Sequence, residues 1–286
     1  MSRVTFEQLL KAGAHYGHLT RKWNPAMAPY IFGDKNSIHI IDLNKTIVKL
    51  EDAANALKQI AKSGRKILFV ATKKQIRNTI VEKAKSVNMP YVTERWPGGM
   101  LTNFVTIRKS VREMATIDRM RTDGTTDSMS KKERLMLSRQ RDKLQTLFGS
   151  IVDLTRLPAA LFVVDVNMEH IAVAEATRLN IPTFAIVDTN SNPNVVDFPI
   201  PANDDAATSV ELILGVITKA IEDGLSDRKV DREKEGVNGK EKSLDETMTE
   251  EEIQEREQKY SKNVELIAAE EALAPNKEAK KDPMKK

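Results

Sequence analysis

The chain of 286 residues contains no cysteine. That excludes disulfides, thiolate metal sites and a cysteine nucleophile, and it fits a reducing compartment. Aromatic residues make up only 5%. No apolar run approaches the roughly 18 residues that span a bilayer, and the N-terminus lacks the apolar core of a secretory leader. A soluble, cytoplasmic protein is expected. Glycine-rich phosphate turns are missing as well. The turns after three apolar strand patterns read Asp42-Leu43-Asn44-Lys45, Ala71-Thr72-Lys73-Lys74 and Asp165-Val166-Asn167-Met168, and none carries a dinucleotide fingerprint or a P-loop. Ser191 has no base at motif spacing, and His39 and His170 stand alone. An enzyme therefore has no specific residue pattern behind it, and a nucleotide-binding α/β domain or enzyme is kept as the alternative.

What the chain does have is segregated charge. Residues 1–148 hold 28 Lys and Arg against 13 Asp and Glu, while residues 149–227 hold 3 against 12. A basic half joined to an acidic segment implies a polyanion bound on one side only.

The apolar pattern reads as a doubly wound α/β domain. Ile38–Leu43 is expected as a strand, followed by a helix that Asn44 caps and Gly64 ends. Lys66–Ala71 is a continuous apolar strand, covered on both faces as in a parallel sheet. A helix over about 73–88 and a short strand at Pro90–Thr93 complete a βαβαβ run. Two helices of about 18 residues, each roughly 27 Å long, then form a hairpin over 104–149. The alternation resumes with strands at 159–165 and 181–187, a brief extended piece at 198–201, and a last helix that ends at Gly224. The expectation is a parallel sheet of about five strands. The segments are 1–103 and 150–227 for the α/β domain, 104–149 for the inserted hairpin and 228–286 for a charged, largely disordered tail. In that tail, Thr249 and Glu252 form a capping box ahead of a stripe of Ile253, Tyr260, Val264 and Ile267. Such a stripe is expected to become helical only against a partner.

Two stretches suit RNA. Arg95-Trp96-Pro97-Gly98-Gly99-Met100-Leu101-Thr102-Asn103-Phe104 combines a planar cation and a stacking face with glycines that let another backbone come close. Arg21-Lys22-Trp23-Asn24, followed by Tyr30 and Phe32, interleaves basic and aromatic residues. Trp23 and Trp96 either stack on RNA or pin their loops to the core. A divalent cation has candidate ligands in His15, His18, Asp188, Asp204 and Asp205. Polar loop packing explains the same residues.

Several blocks in one order then resemble a known family. Leu9–His18, Trp23-Asn24-Pro25, Ile38–Leu43 and Arg95–Asn103, with Pro158–Asp165, Glu169, Glu175 and Asn180-Ile181-Pro182, are similar to the signatures of the ribosomal protein S2 family. The likeness covers residues 1 to about 227, and the hairpin resembles the bacterial branch. It implies a flavodoxin-like domain with a coiled-coil arm, acting as a structural constituent of the small ribosomal subunit. The implied partners are small-subunit ribosomal RNA and neighbouring ribosomal proteins, including the large S-one protein, with no membrane and no small-molecule substrate. On that footing the expected RNA-facing set is Arg21, Lys22, Trp23, Asn24, Lys73, Lys74, Arg77, Arg95, Trp96, Gly98, Gly99, Asn103, Arg108, Lys109 and Arg112. The acidic segment becomes a candidate protein-facing or solvent-facing side.

Overall fold

The four apolar strand patterns from Ile67 onward assemble as the alternation demands, and the fifth strand is the extended piece at 198–201. In the computed structural model, which describes residues 3–236, strands β4 (Ile67–Val70), β5 (Tyr91–Val92), β6 (Ala160–Val164), β7 (Thr183–Val187) and β8 (Phe198–Pro201) pair in parallel in the order β5-β4-β6-β7-β8. That order is the flavodoxin-like arrangement, with the reversal of direction between β4 and β6. Every residue of β4, β6 and β7 is buried. Successive side chains go to opposite faces. Ile67, Phe69, Ala160, Phe162 and Val164 join one core, and Leu68, Val70, Leu161 and Val163 join the other.

The first core is closed by α1 (Phe6–Lys11), α2 (Leu43–Lys62), α3 (Arg77–Ser86) and α7 (Ala207–Gly236), through residues such as Leu9, Leu50, Leu57, Ile80, Ile213 and Ile217. The second is closed by α6 (His170–Arg178) and by the base of the hairpin, α4 (Phe104–Thr122) and α5 (Lys131–Phe148). Burying a Leu or Ile side chain contributes about 1.5–3 kcal/mol, so two such cores hold the sheet rigidly between them.

Four expectations are corrected. Ile38–Ile41 is a strand, β3, but it belongs to a separate antiparallel sheet with β1 (Tyr16–Leu19) and β2 (Ile31–Lys35), in the order β1-β3-β2. A tight turn, with Asn36 and Ser37 at positive φ, lets β3 pair with β2 instead of crossing over to β4. Asp42, not Asn44, caps α2, its side chain accepting from Asn44 N at 3.0 Å. α3 is shorter than expected, beginning at Arg77, because residues 72–76 form turns that present Thr72 and Lys73 to the acidic half. The last helix does not stop at Gly224. It runs on to Gly236, because α2 lies against it there. A Cβ at Gly224 would stand 2.4 Å from the Lys58 carbonyl and 3.1 Å from Ala61, so glycine serves close helix packing and not a C-cap. Lys58–Asp227 and Lys62–Asp231 ion pairs, each at 2.9 Å, continue that contact.

The hairpin follows its sequence pattern. Phe104, Ile107, Val111, Met114 and Ile117 are buried along α4, while α5 buries only Phe148. Ser130 and Glu133 form the capping box that starts α5, and Arg141 bonds Asp118 across the pair at 2.9 Å. The tail stripe from Thr249 to Ile267 lies outside the described residues.

Candidate nucleic-acid interface and its interior clamp

The carboxyl ends of the parallel strands carry the loops that the sequence singles out. In this arrangement ligands usually enter the crevice at the β4/β6 reversal. Here Lys73, just after β4, fills it. Its ammonium lies 2.8 Å from Asp165, 2.8 Å from Asp204 and 2.8 Å from Asp205, and the side chain is only 13% exposed. Burial lowers its pKa, but the three carboxylates more than offset that and hold it above the ordinary lysine value. Asp165 reaches this position from a left-handed backbone, φ +69°, which is strained for a non-glycine residue. Its second oxygen stabilises the turn by accepting from Asn167 N at 3.0 Å and Met168 N at 3.2 Å.

The loop after β5 is built around another carboxylate. Glu175, buried on α6, accepts five hydrogen bonds. One oxygen takes Trp96 Nε1 at 3.1 Å and Gly99 N at 2.8 Å. The other takes Leu101 N at 2.9 Å, Thr102 N at 3.1 Å and Thr102 Oγ1 at 3.2 Å. Burial pushes its pKa up, and the bonds from Thr102, Trp96, Leu101 and Gly99 outweigh that and hold it below the usual carboxylate range. Stabilisation of a carboxylate by several backbone N–H groups is the cause. Glu169, the residue just before α6, does the same for the loop after β4, accepting Thr72 N at 2.9 Å. Its pKa is nevertheless raised, because burial outweighs that bond.

Part of the acidic segment is thus an interior device. Five of its twelve carboxylates, Asp165, Glu169, Glu175, Asp188 and Asp204, are buried. They serve to hold loops from within, while the other seven remain partly or fully exposed. Sequence reasoning missed this use of Glu175 and Glu169. The legible signal was an acid set between Ala172, Val173 and Ala176 on the apolar face of α6, where only a paired group is tolerated.

The expected RNA-facing residues divide accordingly. Arg21, Lys22, Lys74, Arg95, Gly98, Asn103, Lys109 and Arg112 are exposed. Trp23 is 38% exposed, its ring tilted on His39 at 5.2 Å. Trp96 is 6% exposed and turns inward to Glu175, the arrangement of a ring that pins its loop to the core. Gly99 has φ +82°, which requires glycine or strain. Gly98 lies outside that region, and the space above it is open. Asn24 commits its side chain to Ala26 N at 2.9 Å and its N–H to the Thr189 carbonyl at 2.8 Å. Arg77 pairs with Glu94 at 2.7 Å. Arg108 donates to the carbonyls of Val152 and Leu154 at 3.3 and 3.2 Å, bracing the hairpin base.

Of the cation candidates, His18, Asp188 and Asp204 are brought together, with ligand atoms all within 4.8 Å of one another. Asp205 stands beside them, its carboxylate 3.5 Å from His18 Nε2. His15 is apart from this group, its ring against Tyr16 at 3.9 Å. Asp204 is pushed up to about 7 by burial and then by the neighbouring Asp188 and Asp165 charges, with Lys73 offsetting part. The Asp188 carboxylate raises His18 despite its partial burial.

A flavodoxin-like domain whose ligand crevice is filled by its own lysine, and whose loops are clamped from within, is a rigid scaffold presenting basic loops. Residues 9–224 match the family model described as ribosomal protein S2. The chain is 65% identical over 232 residues to the small ribosomal subunit protein uS2 of Parabacteroides distasonis, covering 81% of this chain and 84% of that one. It is equally similar, at 65% and with the same coverage, to that of Bacteroides thetaiotaomicron. It is 62% identical to that of Porphyromonas gingivalis, over 81% of this chain and 83% of the relative. The chain belongs to the ribosomal protein S2 family.

Proposed function

We propose that the basic loops at the carboxyl edge of the sheet and the first arm of the hairpin are where this chain meets ribosomal RNA. Membership of the family gives it a structural, non-catalytic role in the small subunit of the cytoplasmic ribosome. No helix of the described residues is long and apolar enough to cross a membrane. Arg21, Lys22, Lys74, Arg95, Lys109 and Arg112 would neutralise phosphates and release counterions. The open space above Gly98 admits an RNA backbone, Asn103 offers polar contacts, and the half-exposed Trp23 offers a stacking face. Neighbouring ribosomal proteins, including the large S-one protein, would adjoin the domain.

The occupied crevice carries this reading over a nucleotide-binding one. A mononucleotide phosphate placed at the β4/β6 reversal would meet Asp165, Asp204 and Asp205 around an ammonium already committed to them. The full chain is expected to co-sediment with small-subunit particles and to gain no thermal stability from ATP, NAD or FMN. A micromolar nucleotide complex without particle binding would defeat it, since a ligand at 100 times its Kd stabilises by about 2.7 kcal/mol.

A further inference from the structure

The second arm of the hairpin, α5, turns apolar side chains to solvent near its start. Leu135 is 51% exposed and Met136 is 61% exposed. The register of the hairpin keeps them there. Gln140 Nε2 donates to Glu113 Oε1 at 2.5 Å, and Arg141 Nε donates to Asp118 Oδ1 at 2.9 Å. Rolling α5 to bury Leu135 against α4 would break both bonds.

Lys131, Arg134, Leu135 and Ser138 follow one another at steps of three, one and three, so they share one face of α5. With Leu137, and with Arg121 from the end of α4, they line a groove of about 400 Å³, within the size range of ligand sites. Its floor is aliphatic and its rim is cationic. Two nearby acids are committed within the hairpin, Asp118 to Arg141 and Glu133 to the Ser130 capping box. Along α5, Lys131, Lys132, Arg134, Arg139, Arg141 and Lys143 stand against Glu133 and Asp142. The field over the groove is therefore positive.

We propose that this groove is a protein-docking site whose occupant is an acidic amphipathic helix of another protein. Leu135 and Leu137 meet the partner's apolar stripe, and Arg121, Lys131 and Arg134 pair with carboxylates on its flanks. Both hairpin helices line the groove, so a third helix laid along it packs ridge into groove. Leucine offers an RNA base neither a stacking plane nor a hydrogen bond. That separates this site from the loops carrying Arg95 and Trp23, and the proposal is independent of them.

The test uses the full chain and a fluorescein-labelled peptide of about 18 residues, with leucine at helical spacing and glutamate on both flanks. Binding is read by anisotropy across a salt series. A second peptide keeps the glutamates and replaces each leucine by serine, and a short RNA duplex is the third probe. Wild type should bind the leucine peptide and prefer it to the serine peptide by about tenfold or more, the factor that burying one leucine supplies. Leu135→Ala should remove that preference with an unchanged circular dichroism spectrum, since alanine favours the helix. Val230→Ala on α7, where the valine is 47% exposed, should bind as wild type does. Arg121→Ala combined with Lys131→Ala should weaken the leucine peptide and flatten its salt dependence. No binding of the leucine peptide, equal affinity for both peptides, or wild-type binding by folded Leu135→Ala would overturn the assignment. So would a double variant that loses affinity for the RNA duplex and keeps it for the peptide, which would give the groove to RNA.

Discussion

The indole N–H of Trp96 donates to the carboxylate of Glu175 at 3.1 Å, with both side chains buried. The tryptophan is therefore an anchor, and the loop that carries Arg95, Gly98 and Asn103 is shaped from inside by an acid belonging to the other half of the chain. With the ring turned inward, Arg95, Gly98 and Asn103 make up the loop's exposed outer surface.

Glu175→Gln keeps the size of that anchor and removes its charge. An amide NH2 would then face N–H donors that now meet oxygen, leaving at least one of them unpaired. A buried unsatisfied donor costs about 1–3 kcal/mol, and urea unfolding is expected to show a loss of about that size. The Trp96 fluorescence should shift to the red as the loop loosens. Wild-type stability and emission would contradict the clamp.

Acid should dismantle the same clamp. Glu175 has a folded pKa below its ordinary value, so the unfolded chain takes up this proton first as pH falls. Its contribution is fully present above the usual glutamate pKa of about 4.3 and is lost as pH falls through the lower folded value. The stability gap between wild type and Glu175→Gln should be constant from neutral pH to about 5 and close below about 4. It is read from urea midpoints across that range. A gap that persists unchanged at the acid end would contradict the assignment.

Lys73→Met removes the ammonium from among Asp165, Asp204 and Asp205 while keeping much of its apolar stem. Uncompensated buried charge typically costs about 3–5 kcal/mol. The exposure of Asp205 places the expected loss near the lower end. Adding Asp165→Asn to Lys73→Met should recover part of it, because one unpaired carboxylate is gone. Thermal unfolding in the presence of a chelator is the measurement. A silent Lys73→Met variant would show that the lysine does not hold the crevice.

Much of this was legible in the sequence where a local rule decides the outcome. The buried strands at 67–70, 160–164 and 183–187 and the hairpin helices from Phe104 and Lys131 follow from periodicity and side-chain chemistry. Ile38–Ile41 was legible as a strand but not as a member of a second sheet, since pairing across the Asn36–Ser37 turn is a tertiary choice. Gly224 showed the limit of glycine as a stop signal. Glycine also marks close packing, and its partner here, Lys58 on α2, is far away in the chain. Lys73 and Trp96 looked like contact residues because lysine and tryptophan are common at RNA surfaces. Their partners, Asp165 and Glu175, lie in the other half of the chain, and only the sheet order brings them together. The cations Arg21, Lys22, Lys74 and Arg95 are exposed, as lysine and arginine usually are, so their placement was legible from residue type alone.

The central claim is that these loops attach the domain to RNA through phosphates. It is tested most directly by binding to small-subunit particles reconstituted without this protein, across a potassium chloride series. Wild type is compared with a chain carrying Arg21→Ala, Lys22→Ala, Lys74→Ala and Arg95→Ala. All four side chains are exposed, so folding should be unaffected, with substitutions of this kind moving stability by only about 0.5 kcal/mol each. The account predicts weaker binding at every salt concentration and a shallower dependence of log K on log salt, by roughly 0.7–0.9 for each phosphate that is no longer neutralised. Wild-type affinity with a wild-type slope would contradict it.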